Sequence, residues 1–111
     1  AGMVKATGVV ITRITIPYDC TITGWRVEAS VSSSIVFDVW RDTYANSPPT
    51  VADTIAGSEK PTLSSATKNE DLSLGTWSVT VTAGDVLLIN IDSVTMADST
   101  SARLTVFTTK T

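Results

Sequence analysis

Side chains able to move protons or attack carbon are scarce in this chain. Its 111 residues include no His, one Cys and eleven carboxylates. A Ser–His–Asp relay needs an imidazole, and a structural zinc site needs several Cys or His ligands; neither can be assembled here. Phosphate-cradling glycine loops are also missing, since Gly75 and Gly84 stand alone as turn glycines. What remains is carboxylate chemistry. Asp38 with Asp42, and Glu70 with Asp71, are the nearest pairs, and a two-carboxylate hydrolase would need such a pair across a cleft. Asp38, however, lies inside an apolar stretch. It reads as a buried carboxylate that needs a partner, with Arg26 on a neighbouring strand the candidate. The oxygen-rich run from Asp92-Ser93 to Asp98-Ser99 could meet a hard cation, but it lacks the twelve-residue calcium-loop pattern and reads as ordinary polar loop. No catalytic residue, metal ligand or cofactor is expected, and the chain reads as non-enzymatic. Cys20 cannot form an internal disulfide and reads as a small buried apolar residue.

Recognition by aromatic rings is the more serious idea. Trp25 and Trp77 open stretches of clean apolar–polar alternation and are expected in the core. Trp40 faces away from Phe37, so it should cover the following loop or sit at an interface. Tyr44 precedes Pro48-Pro49 and is the best candidate for an exposed ring, the alternative being a ring packed on the two prolines. Phe107 lies on the outward side of the last strand. With Asn46, the residues Trp40, Tyr44 and Phe107 are the expected ligand or interface contacts.

These side chains must be positioned by strands. Thr, Val and Ile make up 40 of the 111 residues, against ten Ala, six Leu, three Glu and no Gln, a balance that favours strand over helix. Period-2 alternation is widespread and no segment sustains a period of 3.6. Strands are expected at 9–16, 21–30, 35–41, around 62–66, from Trp77, at 86–91 and at 103–109. Trp25, Val27 and Ala29 share a face that Ile22 misses by one residue, so a bulge at Thr23-Gly24 is expected. Ser32-Ser33-Ser34 reads as a turn, as does the solvated Lys68-Asn69-Glu70-Asp71. Thr50 should cap a short helical turn with Asp53 reaching back, and Gly57 should end it. Ile55 should plug into the core. The sum is one all-β domain over residues 11–111, an antiparallel β-sandwich of jelly-roll type. It would have seven or eight short strands and one long Pro-containing loop, with residues 1–10 as an N-terminal arm.

Charged residues are only 17% of the chain and the net charge is −3, so no basic stripe exists to bind nucleic acid. No apolar run approaches the roughly 20 residues of a membrane span, so membrane insertion is not expected. The first residues lack the apolar core of a signal peptide. A start at Ala1-Gly2 fits loss of an initiator Met, so a complete small protein made in a cytoplasm is expected. The polar surface rests on 32 Ser and Thr hydroxyls. Low charge of this kind suits a protein that buries much of its surface in an oligomer.

Two blocks carry a resemblance. Ile14-Thr15-Ile16-Pro17-Tyr18-Asp19-Cys20-Thr21-Ile22-Thr23-Gly24-Trp25 resembles the start of a small domain that recurs in tailed-bacteriophage and prophage virion proteins. Ser34-Ile35-Val36-Phe37-Asp38-Val39-Trp40-Arg41-Asp42-Thr43-Tyr44-Ala45-Asn46-Ser47-Pro48-Pro49-Thr50 resembles its central block. Ile55, Lys60-Pro61-Thr62-Leu63, Trp77 and Ala83-Gly84-Asp85-Val86-Leu87 continue it in order, so that it spans roughly residues 12–111. Such domains resemble the heads of fibre-like virion proteins, sometimes behind Gly-X-Y repeats, and bring no catalytic residues with them. Here only about ten residues precede the domain, and no Gly-X-Y stalk is among them. The resemblance therefore implies a capsid-decoration or small fibre component at the virion surface, made in the host bacterial cytoplasm. Its expected partners are other virion proteins and further copies of itself, as a trimer. The alternative is a receptor-binding tail-fibre head that recognises a bacterial surface glycan.

Overall fold

The computed structural model describes residues 10–95 and 102–111, with side chains from residue 13 onward. Its strands are β1 (Val10–Thr15), β2 (Cys20–Asp42), β3 (Thr62–Asp71), β4 (Thr80–Val81), β5 (Val86–Thr95) and β6 (Ala102–Lys110). All pairings among them are antiparallel. Two 3-10 turns, Tyr44–Asn46 and Val51–Asp53, are the only helical segments among the described residues. The fold is therefore all-β and antiparallel, as expected. The N-terminal arm falls almost wholly outside the described residues, as do the loop residues 96–101 that include Asp98.

The expected turn at Ser32–Ser34 is corrected: β2 runs unbroken through it for 23 residues. A straight strand of that length would span about 76 Å, yet the longest dimension of the molecule is 37 Å, so β2 must bend. The bend falls where its register against β3 shifts, between Glu28 and Ser33 and again between Ser33 and Ile35. Ser33 still pairs with Ala66 and Ser34 with Thr95, which is why a serine run that reads as a turn remains in the ladder. β3 bends beside it. The Asn69 side-chain amide donates to the Thr62 carbonyl at 2.8 Å, although seven residues of straight strand would separate them by about 23 Å. Ser65, at φ 48°, supplies the fold-back.

The bent strands make the sandwich. The first half of β2 (20–29) lies between β6 and the line of β3 and β4. The second half (33–42) lies between β3 and β5, with β1 beyond β5. Six strands thus give eight extended segments once β2 and β3 are each divided at the bend. The inward face follows parity around it. Cys20 and Ile22 are followed by the expected irregularity between Ile22 and Gly24, then by Trp25, Val27, Ile35, Phe37 and Val39, all buried with Leu87, Ile89 and Ile91 of β5. One side is hydrogen-bonded shut. Ile55 N–H donates to Val39, Ser78 N–H to Ile55, and Ile22 N–H to Val79, each at 2.9 Å. Ile55 and Trp77 plug that side, with Trp77 Nε1 donating to the Glu59 carbonyl at 2.8 Å.

Other expectations need correcting. Lys68–Asp71 is not a turn but the end of β3, paired with Trp25–Glu28; an edge strand with polar side chains on both faces gives no alternation to read. The strand expected from Trp77 is reduced to Thr80–Val81, because Trp77 itself belongs to the closing loop. Asp53 does reach back to the Thr50 N–H at 2.8 Å, but the helical turn stops at Asp53 and Gly57 serves a different turn at φ 57°. Ile14, which shares a face with Ile16 by strand parity, is exposed on the edge strand β1, while Ile16 is half-buried.

Candidate functional site

Asp38 organises the most elaborate polar cluster among the described residues. It points away from the apolar core and is nevertheless buried, at 1% exposure. One carboxylate oxygen accepts from the Val39 N–H at 2.9 Å and the Thr54 hydroxyl at 2.6 Å; the other accepts from Trp40 Nε1 at 3.0 Å. Lys60 Nζ stands 3.6 Å from Asp38 and 2.6 Å from Asp92. Asn90, directly across from Asp38, donates to Asp92 at 2.9 Å. The expected partner Arg26 is therefore corrected. It lies in the other half of β2, paired with Glu70 at 2.9 Å, and Lys60 takes its place. Lys60 could not be chosen from the sequence because it arrives through the loop, not a neighbouring strand. The hydrogen bond from Lys60 to Asp92 pushes the lysine above its ordinary pKa, and the nearby Asp38 charge adds to this. Asp92, one of the oxygens weighed for a cation, is thus occupied by an ammonium group.

This cluster holds both ends of a surface loop. Trp40 stands just before it and Thr54 closes it. Their backbones bridge as an isolated antiparallel pair, and their side chains meet on the same carboxylate. Between them the chain protrudes. Asp42 accepts from the Thr43 N–H at 2.8 Å and from the Asn46 amide at 3.3 Å, and these bonds, the backbone one first, hold its carboxyl below the usual range. Tyr44 stands clear of the surface at 80% exposure, with Val51 at 68%. The prolines do not bury the ring; Pro49 is itself buried while Tyr44 points to solvent.

The structure thus brings Trp40, Tyr44 and Asn46 to one loop, with Trp40 as its anchor and half-buried. Phe107 belongs elsewhere. It pairs with Gly24 in the other layer, and the Arg26 guanidinium lies 5.2 Å from its ring centroid. Beside it is a shallow depression of about 460 Å³, lined by Arg26, Glu28, Lys68, Asn69 and Glu70. None of these was singled out as a contact residue. Their outward parity opposite Trp25 and Val27 was legible, but the pairing of Lys68–Asp71 with them was not.

Cys20 is buried, and burial raises its thiol pKa, with Asp19 and Asp85 adding to the effect. It packs in the apolar core as expected. Compared with family models, with curated proteins and with solved structures, the chain finds no match.

Proposed function

We propose that this chain is a non-enzymatic structural component of a bacteriophage virion surface, of the decoration or small-fibre type. It would assemble with copies of itself, as a trimer, and with other capsid or tail proteins, after synthesis in the host bacterial cytoplasm. The sequence resemblance suggests the setting. The supporting observation is the open strand edges: among the described residues β1, β3 and β6 each pair on one side only. The unpaired edges of β6, nine residues long, and of β3 beyond its fold-back at Ser65 are templates for another chain. Light scattering of the purified chain should give a multiple of 11.7 kDa, three copies if the trimer is right. A monomer at high micromolar concentration overturns the proposal.

A second reading, a receptor-binding head for a bacterial surface glycan, rests on Tyr44. A ring this exposed, on a loop held at both ends, is a pre-organised stacking platform. Tyr44→Ala should lower adsorption to host cells about tenfold, the scale of losing one anchoring aromatic, while leaving thermal stability unchanged. Equal adsorption by both proteins removes the glycan reading.

A further inference from the structure

The edge of β3 over residues 67–72 is complementary to itself when read in the opposite direction. Lys68 and Glu70 are both exposed and stand on the outer face, across from Glu28 and Arg26 of β2. The Glu70 N–H is bonded to Oδ1 of Asn69 at 2.9 Å, so it does not face β2. Backbone groups alternate sides along a strand. Lys68 and Glu70 therefore offer their N–H and C=O groups to the open edge, while Asn69 and Asp71 face β2.

We propose that a second copy of this chain docks on this edge, antiparallel, about a two-fold axis through Asn69. In that register Lys68 of each copy stands opposite Glu70 of the other. These are the residues whose backbone groups face the open edge, so each of the two symmetric pairs exchanges both of its N–H···O bonds once Asn69 Oδ1 leaves the Glu70 N–H. Their side chains form cross-strand ion pairs on the same face. Each Glu70 keeps its own Arg26 and gains a lysine. The depression lined by Arg26, Glu28, Lys68, Asn69 and Glu70 meets its counterpart across the axis, giving one groove. Docking displaces Asn69 Oδ1 from the Glu70 N–H, while the Asn69 amide keeps its bond to Thr62. The other open edges lack this symmetry. β6 carries Arg103 and Lys110 with no carboxylate, and β1 carries only Arg13, so self-pairing there brings no opposite charges together.

This inference rests on the chain being an assembling part, and names the edge. The test is analytical ultracentrifugation of the intact chain, of Lys68→Glu, of Glu70→Lys, and of the double exchange. The intact chain should sediment as an even-numbered species, a dimer where this edge acts alone and a hexamer where the trimer contact also forms. Each single exchange places like charges opposite one another and should weaken association at least about tenfold. Lys68→Glu is the cleaner of the two because it leaves Arg26 and Glu70 paired. The double exchange restores complementarity and should restore association, and raised salt should weaken the intact contact. Unchanged melting temperatures confirm that each variant folds. An oligomer indifferent to both single exchanges, or a double exchange that does not recover, overturns this edge and leaves assembly by another surface standing. A chain that is monomeric throughout overturns both.

Discussion

Gly57→Ala should destabilise the protein by about 3 kcal/mol, a large share of the roughly 5–15 kcal/mol that holds a domain of this size together. Two effects coincide at this position. Its φ of 57° is in the left-handed region, where a side chain costs about 1–2 kcal/mol. A Cβ there would also come within 2.7 Å of the Thr76 carbonyl oxygen and 2.8 Å of Thr76 Cβ. Neither atom can swing aside. Thr76 is tied by its N–H to Glu59 at 2.6 Å and by its hydroxyl to the Ala56 carbonyl at 3.1 Å, and Trp77, next in the chain, is buried. Relieving the clash means moving the loop that carries Trp77, and with it the hydrogen bonds that shut one side of the sandwich. Two other glycines calibrate the result. Gly84 has φ 92° but open space around its Cβ position, so Gly84→Ala should show the backbone cost alone, about 1 kcal/mol. Gly75 has only a Glu59 oxygen at 3.6 Å and no positive φ, so Gly75→Ala should be nearly neutral. Urea midpoints of the three variants check the order. Equal losses at Gly57 and Gly84 would mean that the contact with Thr76 is not what restricts position 57.

The same closing loop marks where the sequence ceases to be legible. Alternation along a strand is a local signal, and it located the inward faces of β2, including the change of parity at Gly24, which the register irregularity there accounts for. It also places Trp25 and Trp77 in the core. Two kinds of fact escaped it. Bent strands were cut into separate ones at Ser32–Ser34, because small polar residues signal a turn whether or not their backbone stays paired. The polar end of β3 reads as a turn, because an exposed edge offers no hydrophobic period. Both errors hid the outer face where Arg26, Lys68, Glu70 and Phe107 stand together. At the loop site, burial of Asp38 follows from its apolar neighbours, whereas the position of Tyr44 before the prolines fits a ring packed on them as well as an exposed one. The identity of the cation was a matter of tertiary path. Lys60 is 22 residues beyond Asp38 in the chain and reaches it only because the loop folds back over β2.

Asp38→Ala should be the most damaging change at the loop site, and it should separate the loop from the sandwich. Removing the carboxylate leaves the Val39 N–H without its acceptor in a buried setting, and the Thr54 hydroxyl and Trp40 Nε1 without theirs in a part-buried one. Each buried polar group left unpaired costs about 1–3 kcal/mol, so a loss of about 3 kcal/mol is expected. Asp38→Asn should recover only part of this. An amide keeps one acceptor oxygen but turns an N–H₂ toward groups that are themselves donors. Lys60→Met tests the remaining member. Its ammonium is about a third exposed and its shorter contact is to Asp92, so its removal should cost under about 1 kcal/mol. The three losses should therefore fall in the order Ala, Asn, then Lys60→Met, measured by chemical unfolding. A second readout makes the claim about the loop and not only about stability. Because Asp38 ties Trp40 to Thr54, its loss should speed protease cleavage within 43–53 under conditions where the intact chain resists, and should alter the fluorescence of Trp40. The exposed ring of Tyr44 is then positioned by a carboxylate six residues away that never touches it. If Asp38→Ala lowers global stability but leaves cleavage in the loop unchanged, the backbone bridge between Trp40 and Thr54 holds the loop by itself, and Asp38 serves only the packing beneath it.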